Sequence, residues 1–241
     1  MKKRVWIILL SFTLTLVVIV LGHYIHIEQT KRDINYEKQG VYLNYEDKNL
    51  VILIDVNTKS LYLIDIDTDA ILKEYVVATG KPDTPTPLGT FKIVEKGKWG
   101  GGFGSRWLGL DVPWGKFGIH GTNKPQSIGY DASQGCIRMR NKDVEELYSL
   151  VDYETRVTII NGSYGPFANG FRTLKPGHRG SDVQEVQKRL KQKGYYEGTI
   201  DGIYGDGMKV ALIEFFKDHN MPITDNIGYE VYKKLDIFLM D

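Results

Sequence analysis

The rhythm of apolar and polar positions changes several times along the 241-residue chain, and each change marks an element. Residues 5–21 are apolar except for Ser11, Thr13 and Thr15. As a helix they would reach about 26 Å, the short end of what crosses a bilayer core. The run has no polar face, which disfavours a surface helix of a soluble domain. Residues 23–48 are polar and charged with scattered tyrosines and read as a spacer. Short apolar segments follow at 50–54, 61–64 and 74–78, separated by Asn57-Thr58-Lys59 and Asp67-Thr68-Asp69. They predict a meander of strands in a sheet or sandwich. Three prolines between 81 and 90 exclude a central strand or helix there, and a strand resumes at 91–94. Val144, Leu147, Tyr148 and Val151 then recur at helical spacing. Asn141 is the expected N-cap of that helix, and Asp143, Glu145 and Glu146 suit its early turns. A last strand is expected at 156–160.

After 161–169, rich in glycine and carrying Ser163 and Pro166, the helical period takes over. Ser181 with Gln184 reads as a capping box. Val183, Val186 and Leu190 form a buried stripe that Gly194 ends. Met208, Ala211, Leu212, Phe215 and Phe216 form a second stripe, and Val231 and Leu235 a third beyond Pro222. The expected organisation is an apolar helix (1–22), a spacer (23–48), a mainly-β domain with a bracing helix (49–161), a linker (162–170) and a small all-α three-helix domain (171–241).

Composition sharpens this outline. With 42% hydrophobic and 25% charged residues the chain can build packed cores, and a formal net charge of +1 speaks against a nucleic-acid partner. Met1-Lys2-Lys3-Arg4 precedes the apolar run, so the basic end is expected on the cytoplasmic side and the remainder outside. Gly22-His23-Tyr24-Ile25-His26 lacks a small-x-small cleavage site, so a retained single-pass anchor in the cell membrane is expected, with both domains outside. The single cysteine excludes an intrachain disulfide. One cysteine and scattered histidines offer no zinc spacing, so no metal is expected. Gly100-Gly101-Gly102-Phe103-Gly104 lacks the Gly-Lys-Ser/Thr ending of a phosphate loop and reads as surface loop; no cofactor is expected. Trp99, Trp107 and Trp114 around it suit a groove or a core equally.

The chemistry concentrates between Gly118 and Arg140. A free cysteine is only a few per cent thiolate near neutrality, and an imidazole can take its proton and later return it. Cys136 and His120 are therefore candidate nucleophile and base, against the ordinary readings of a small buried cysteine and a structural histidine. If 136–139 is extended, Ile137 and Met139 face the core while Cys136 and Arg138 share the other face. A guanidinium there favours thiolate and can hold a carboxylate. Ser133 and Gly135 flank the turn, and Gly135 permits a conformation that aims backbone N–H groups at an oxyanion.

Gly118-Ile119-His120-Gly121-Thr122, then Ile128-Gly129, then Ser133-Gln134-Gly135-Cys136-Ile137-Arg138-Met139 resembles the YkuD-type L,D-transpeptidases of bacterial cell walls. The likeness reaches back to Ala78-Thr79-Gly80-Lys81 and Thr86-Pro87-Leu88-Gly89-Thr90-Phe91 and forward to Val157-Thr158-Ile159. Many members have histidine where Gln134 stands, and glutamine does not titrate near neutrality. The resemblance implies that His120 activates Cys136, that the thiolate attacks the bond before the terminal D-alanine of a tetrapeptide stem, and that a second stem takes the acyl group to give a 3-3 peptidoglycan cross-link. It implies backbone donors around Gly135 and Cys136, substrate-binding roles for Ser133, Gln134, Arg138, Gly121 and Thr122, and a loop near 96–106 bordering the cleft. The alternatives are an L,D-carboxypeptidase cutting the same bond and a non-catalytic peptidoglycan-binding protein; a thiol oxidoreductase would want a second cysteine. Leu174, Gly177, Gly180, Asp182-Val183, Gln187, Leu190, Gly194-Tyr195 and the turn 198–205 resemble the peptidoglycan-binding three-helix domain, although Phe216 stands where glutamine is common. Expected partners are stem peptides, glycan strands and, through the anchor, a membrane. Tyr195, Tyr196, Asp201 and Tyr204 are the candidates for the module's ligand surface. The aspartates of the turn lack EF-hand spacing.

Overall fold

A computed structural model of the chain describes residues 48–162, 164–167 and 170–239. The meander forms as β1 (Leu50–Asp55), β2 (Ser60–Asp65) and β3 (Ala70–Val76), paired antiparallel. Ile52 and Ile54 on β1, and Leu61 and Leu63 on β2, are fully buried at every second position, as pleating requires. After the two-residue β4 (Thr79–Gly80) come β5 (Gly89–Gly97), β6 (Trp107–Leu110), β7 (Phe117–His120), β8 (Asp131–Ser133), β9 (Ile137–Arg138) and β10 (Arg156–Ile160). Eight strands make one sheet in the order β3-β2-β1-β10-β5-β6-β7-β9, while β4 and β8 pair separately. The late strand β10 enters the middle, parallel to β1 and antiparallel to β5.

The sheet curls until its two ends meet. Ala78, just beyond edge strand β3, donates to the Arg138 carbonyl at 2.8 Å and accepts from the Arg138 N–H at 2.9 Å. Those bonds satisfy backbone groups that an edge strand would otherwise leave open. They also fix β9, and with it the residue just before it, Cys136. Helix α1 (Asn141–Leu150) buries Val144 and Leu147 completely and packs against β7. This is the mainly-β fold with a bracing helix that the pattern predicts.

A second core gathers α2 (Ser181–Gln192), α3 (Asp206–Asp218) and α4 (Tyr229–Lys234). All three predicted stripes are buried in it. Helix α2 ends with Gly194 at φ 84°, the Tyr195 N–H reaching the Leu190 carbonyl and the Gly194 N–H the Lys191 carbonyl. Only a residue tolerant of the left-handed region closes a helix this way. Phe167, from the stretch read as linker, packs on Phe171 and Tyr232 in this core.

The sequence expectations need four corrections. Among the described residues no helix is long and apolar enough to cross a membrane, which overturns the single-pass membrane placement. The apolar run 1–22 and the spacer, except Lys48, lie outside the described residues. Asn141 and Ser181 do not cap their helices; Arg140 and Gly180 occupy the cap positions and neither helix has a side-chain cap. Tyr196 and Tyr204 belong to the second core rather than to a ligand surface, the Tyr204 hydroxyl donating to the Asp225 carbonyl at 2.7 Å. Residues 101–103 form a 3-10 turn instead of plain surface loop, and that turn covers His120.

Candidate active site

Parallel pairing of β7 with β9 sets His120 beside Arg138 and Ile119 beside Ile137. Paired residues of parallel strands point to the same face, and Cys136, two positions before Arg138, shares that face. His120 therefore lies diagonally across the strand pair from Cys136, which sits in the bend just before β9. Ile137 and Met139 point into the core and are fully buried. The Arg138 charge acts on both partners, pushing the His120 pKa and the Cys136 pKa downward.

Burial dominates both titrations. His120 is 3% exposed. Desolvation pulls its imidazole below the ordinary value, against the Gly121 and Phe103 carbonyls, which would both stabilise the charged ring. The Cys136 thiol is pushed above its ordinary value by burial, against the Gly118 N–H and the Arg138 charge, both of which favour thiolate. The expected thiolate-promoting arginine is present, but desolvation outweighs it. Burial thus favours the neutral thiol and the neutral imidazole over the ion pair.

The His120 tautomer follows from its surroundings. Its Nδ1 lies 2.5 Å from the Gly121 carbonyl oxygen. A carbonyl only accepts, so in the neutral ring Nδ1 carries the proton and Nε2 holds the lone pair. The ring is packed between aromatic faces: Trp107 stacks on it at 5.8 Å and Phe103 meets it edge-on at 5.0 Å. Trp99 in turn stacks on Trp107 at 4.5 Å. Of the three tryptophans, Trp107 is thus part of the site's floor, and Gly118 is what admits it. A Cβ on Gly118 would lie 2.7 Å from the Trp107 ring.

The remaining sequence candidates separate into two groups. Ser133 is buried; its hydroxyl donates to the Cys136 carbonyl at 2.6 Å and accepts the Gly135 N–H at 3.0 Å. The Gly135 N–H, expected as an oxyanion donor, is thereby already spent. Gly135 itself sits at φ 108°, which is where its glycine character is needed. Thr122 is buried, its N–H donating to Asn141 Oδ1 and its hydroxyl accepting from the Lys124 N–H. Those residues shape the site. Facing outward are Gln134, exposed on the turn before Cys136, and Arg138, whose buried Nε has no hydrogen-bond partner among the described residues. An unpartnered buried donor beside the thiol is suited to an incoming anionic or carbonyl oxygen.

Two contributors escaped the sequence reading. The Gly118 N–H, which favours the Cys136 thiolate, comes beside it only once β7 and β9 are paired. Asn141 accepts from the N–H groups of Ser105 at 3.3 Å and Thr122 at 3.1 Å, joining the turn that carries Phe103 to the segment that follows His120. Its N-cap signature hid that use. Among the described residues no three His, Cys, Asp or Glu side chains come together as a metal site.

Two stretches of the chain are similar to known protein domains. The profile of the L,D-transpeptidase catalytic domain matches residues 49–159, and that of a peptidoglycan-binding domain matches 179–235. The chain is 47% identical over 109 residues to the L,D-transpeptidase YkuD of Bacillus subtilis, covering 45% of this chain and 64% of the relative. It is 37% identical over 122 residues to the L,D-transpeptidase YqjB of the same organism, covering 44% of this chain and 69% of the relative. Among solved structures, the catalytic domain of an Enterococcus faecium L,D-transpeptidase shares 25% identity over 47% of this chain and 98% of that one, with a TM-score of 0.41. The chain thus spans just under two thirds of the YkuD sequence.

Proposed function

Because this chain belongs to the L,D-transpeptidase family, we propose that it is a cysteine acyltransferase that cross-links peptidoglycan stems. In this reading 49–161 is the catalytic domain and 171–241 a module that binds the same polymer. The observation that supports the proposal is the β7–β9 pairing of His120 with Arg138, two residues after Cys136, with the Phe103 ring against His120.

His120 Nε2 takes the thiol proton as sulfur attacks the carbonyl carbon before the terminal D-alanine. Starting from a neutral pair, proton transfer and attack belong to one step, which is general-base catalysis. The Gly118 N–H stabilises negative charge growing on sulfur, and Arg138 Nε–H is available to a substrate oxygen. The C–N bond breaks, a thioester forms, and D-alanine leaves with the proton from His120. The amine of a second stem then attacks the thioester, losing a proton to His120, and the sulfur departs and is reprotonated. The Gly121 carbonyl holds the ring in its working tautomer throughout.

Incubating the full chain with a disaccharide-tetrapeptide and analysing products by mass spectrometry tests this. Cross-linked dimers and free D-alanine are expected, and Cys136→Ala should abolish both. Tripeptide without dimers would make the enzyme a hydrolase; unchanged substrate would leave only a binding role.

A further inference from the structure

The helical module is docked on the catalytic domain by built contacts. Ser181 Oγ, at the start of α2, accepts the Leu88 N–H at 2.6 Å in a buried hydrogen bond. Ile203, from the turn 198–205, packs on the catalytic core. Gly202 in the same turn lies so close to Trp114 that a Cβ would stand 2.5 Å from its ring. The turn whose sequence suggested a ligand surface is therefore partly used for docking.

Between the two lies a cleft of about 670 Å³, within the usual range for a small-molecule or short-peptide site. Its catalytic wall includes Asp83, Trp114, Phe117 and Gln134; its module wall includes Phe171 and Arg179. One end reaches the nucleophile's turn. Gln134 is two residues from Cys136, and the Phe117 ring underlies Gly135 at 2.6 Å from an ideal Cβ. The loop forming its floor is tied to that turn as well, the Lys81 N–H and Thr84 hydroxyl both donating to the Ser133 carbonyl.

The charges in the cleft are of both signs. Asp182 is neutralised by Arg172 through two hydrogen bonds, at 2.5 and 3.1 Å. Arg179 and Asp83 are exposed and make no ion pair among the described residues. A ligand matching these walls is a short peptide with both a free carboxylate and a free ammonium, and with small apolar groups such as alanine methyls to lie on the half-buried Phe117 and Phe171. A stem peptide ending in a diamino acid and D-alanine has that chemistry.

We infer that this interdomain cleft is a stem-peptide subsite, with Arg179 of the helical module binding a substrate carboxylate and Asp83 an ammonium. The inference rests on the proposed function for the identity of the substrate. It makes the module a wall of the catalytic cleft in addition to any hold on the polymer. A carboxylate on an arginine is a charge-assisted contact, so its removal should be measurable in binding. Donor and acceptor stems carry the same groups, and kinetics separates them.

Binding of a synthetic tetrapeptide stem is measured by calorimetry on the full chain carrying Cys136→Ala, with and without Arg179→Glu, and with Asp83→Lys as the second variant. Each charge reversal should weaken binding about tenfold or more. In the Cys136-containing chain, a raised KM for D-alanine release assigns the cleft to the donor; a shift from dimers toward hydrolysed tripeptide at unchanged D-alanine release assigns it to the acceptor. Unchanged binding and an unchanged product ratio in both variants would overturn the inference. Turnover is read separately in the parent chain, so absence of any D-alanine release there counts against the proposed function and leaves the binding result standing by itself.

Discussion

Two helix starts in this protein carry the same local signature and spend it differently. Asn141 opens α1 and Ser181 opens α2, and each has the side chain that ordinarily satisfies its own helix's first N–H groups. Asn141 instead accepts from Ser105 and Thr122, inside the catalytic domain. Ser181 instead accepts from Leu88, across the junction between the two cores. A first-turn N–H can be served by water, whereas the Leu88 N–H is buried and has no such recourse. The cost of leaving a buried donor unmade, about 1–3 kcal/mol, outweighs the typical cap energy of about 1 kcal/mol. The two sites differ in what they hold together. Asn141 holds catalytic loops over His120; Ser181 holds a module against a cleft.

The largest effect that would break this pairing is expected from Gly121→Ala. A Cβ there would overlap Asn141 Oδ1 and lie 3.0 Å from the Ser105 nitrogen and 3.2 Å from Gly104 Cα. The asparagine and the Phe103 turn must both move. Displacements on the ångström scale cost about 100-fold in rate, so kcat/KM for D-alanine release should fall by about that factor. Asn141→Ala removes the acceptor without adding bulk. It should lower kcat about tenfold or more and destabilise the fold by about 0.5–1.5 kcal/mol, measured by stopped assay and thermal melt. If α1 merely frayed and kcat held, Asn141 would be a cap after all.

The pH dependence sharpens the same point. The folded His120 pKa lies below its ordinary value of about 6.5. The base thus stays neutral into mildly acid solution, and the acid limb of kcat/KM should lie below pH ~6.5. For stability, the unfolded chain takes up the His120 proton first as pH falls. This contribution is complete above the unfolded pKa and is lost as pH falls from there toward the folded one. Cys136, with its pKa raised, acts oppositely, its contribution being lost as pH rises through the ordinary thiol range. In Asn141→Ala, loosening of the Phe103 turn readmits water to the ring. The acid limb should then move up toward the ordinary imidazole value; an unmoved limb would mean that Phe103 does not control the desolvation.

These two serial roles show what the sequence carried and what it could not. The alternation of β1 and β2, the stripes of α2 and α3 and the Gly194 terminus were legible because each is set by neighbours within one or two turns. The His120–Cys136 pair was legible as chemistry because its residue types are scarce. The Gly118 N–H beside Cys136 was not, since it arises only after β7 and β9 have closed on one another; the Ser133 bond to the Gly135 N–H is local, but it depends on Gly135 adopting φ 108°, which residue types alone do not reveal. Asn141 and Ser181 were misread for the same reason: a local signal was correct in kind, but a distant donor claimed it. Phe103 was hidden among glycines that suggested only loop.

The smallest effect, and the sharpest contrast with Asn141, belongs to Ser181→Ala. The lost acceptor leaves the Leu88 N–H buried, so a destabilisation of about 1 kcal/mol and a drop of a few degrees in Tm are expected. No catalytic loop touches Ser181, so kcat for D-alanine release should be unchanged. What should move is KM for the stem, by a few fold, because the loop from Lys81 to Leu88 and the module wall both frame the cleft. A fall in kcat of the Asn141 kind, with KM constant, would mean that the junction reaches the nucleophile's turn through the Ser133 carbonyl. The two helix starts would then serve one site rather than two.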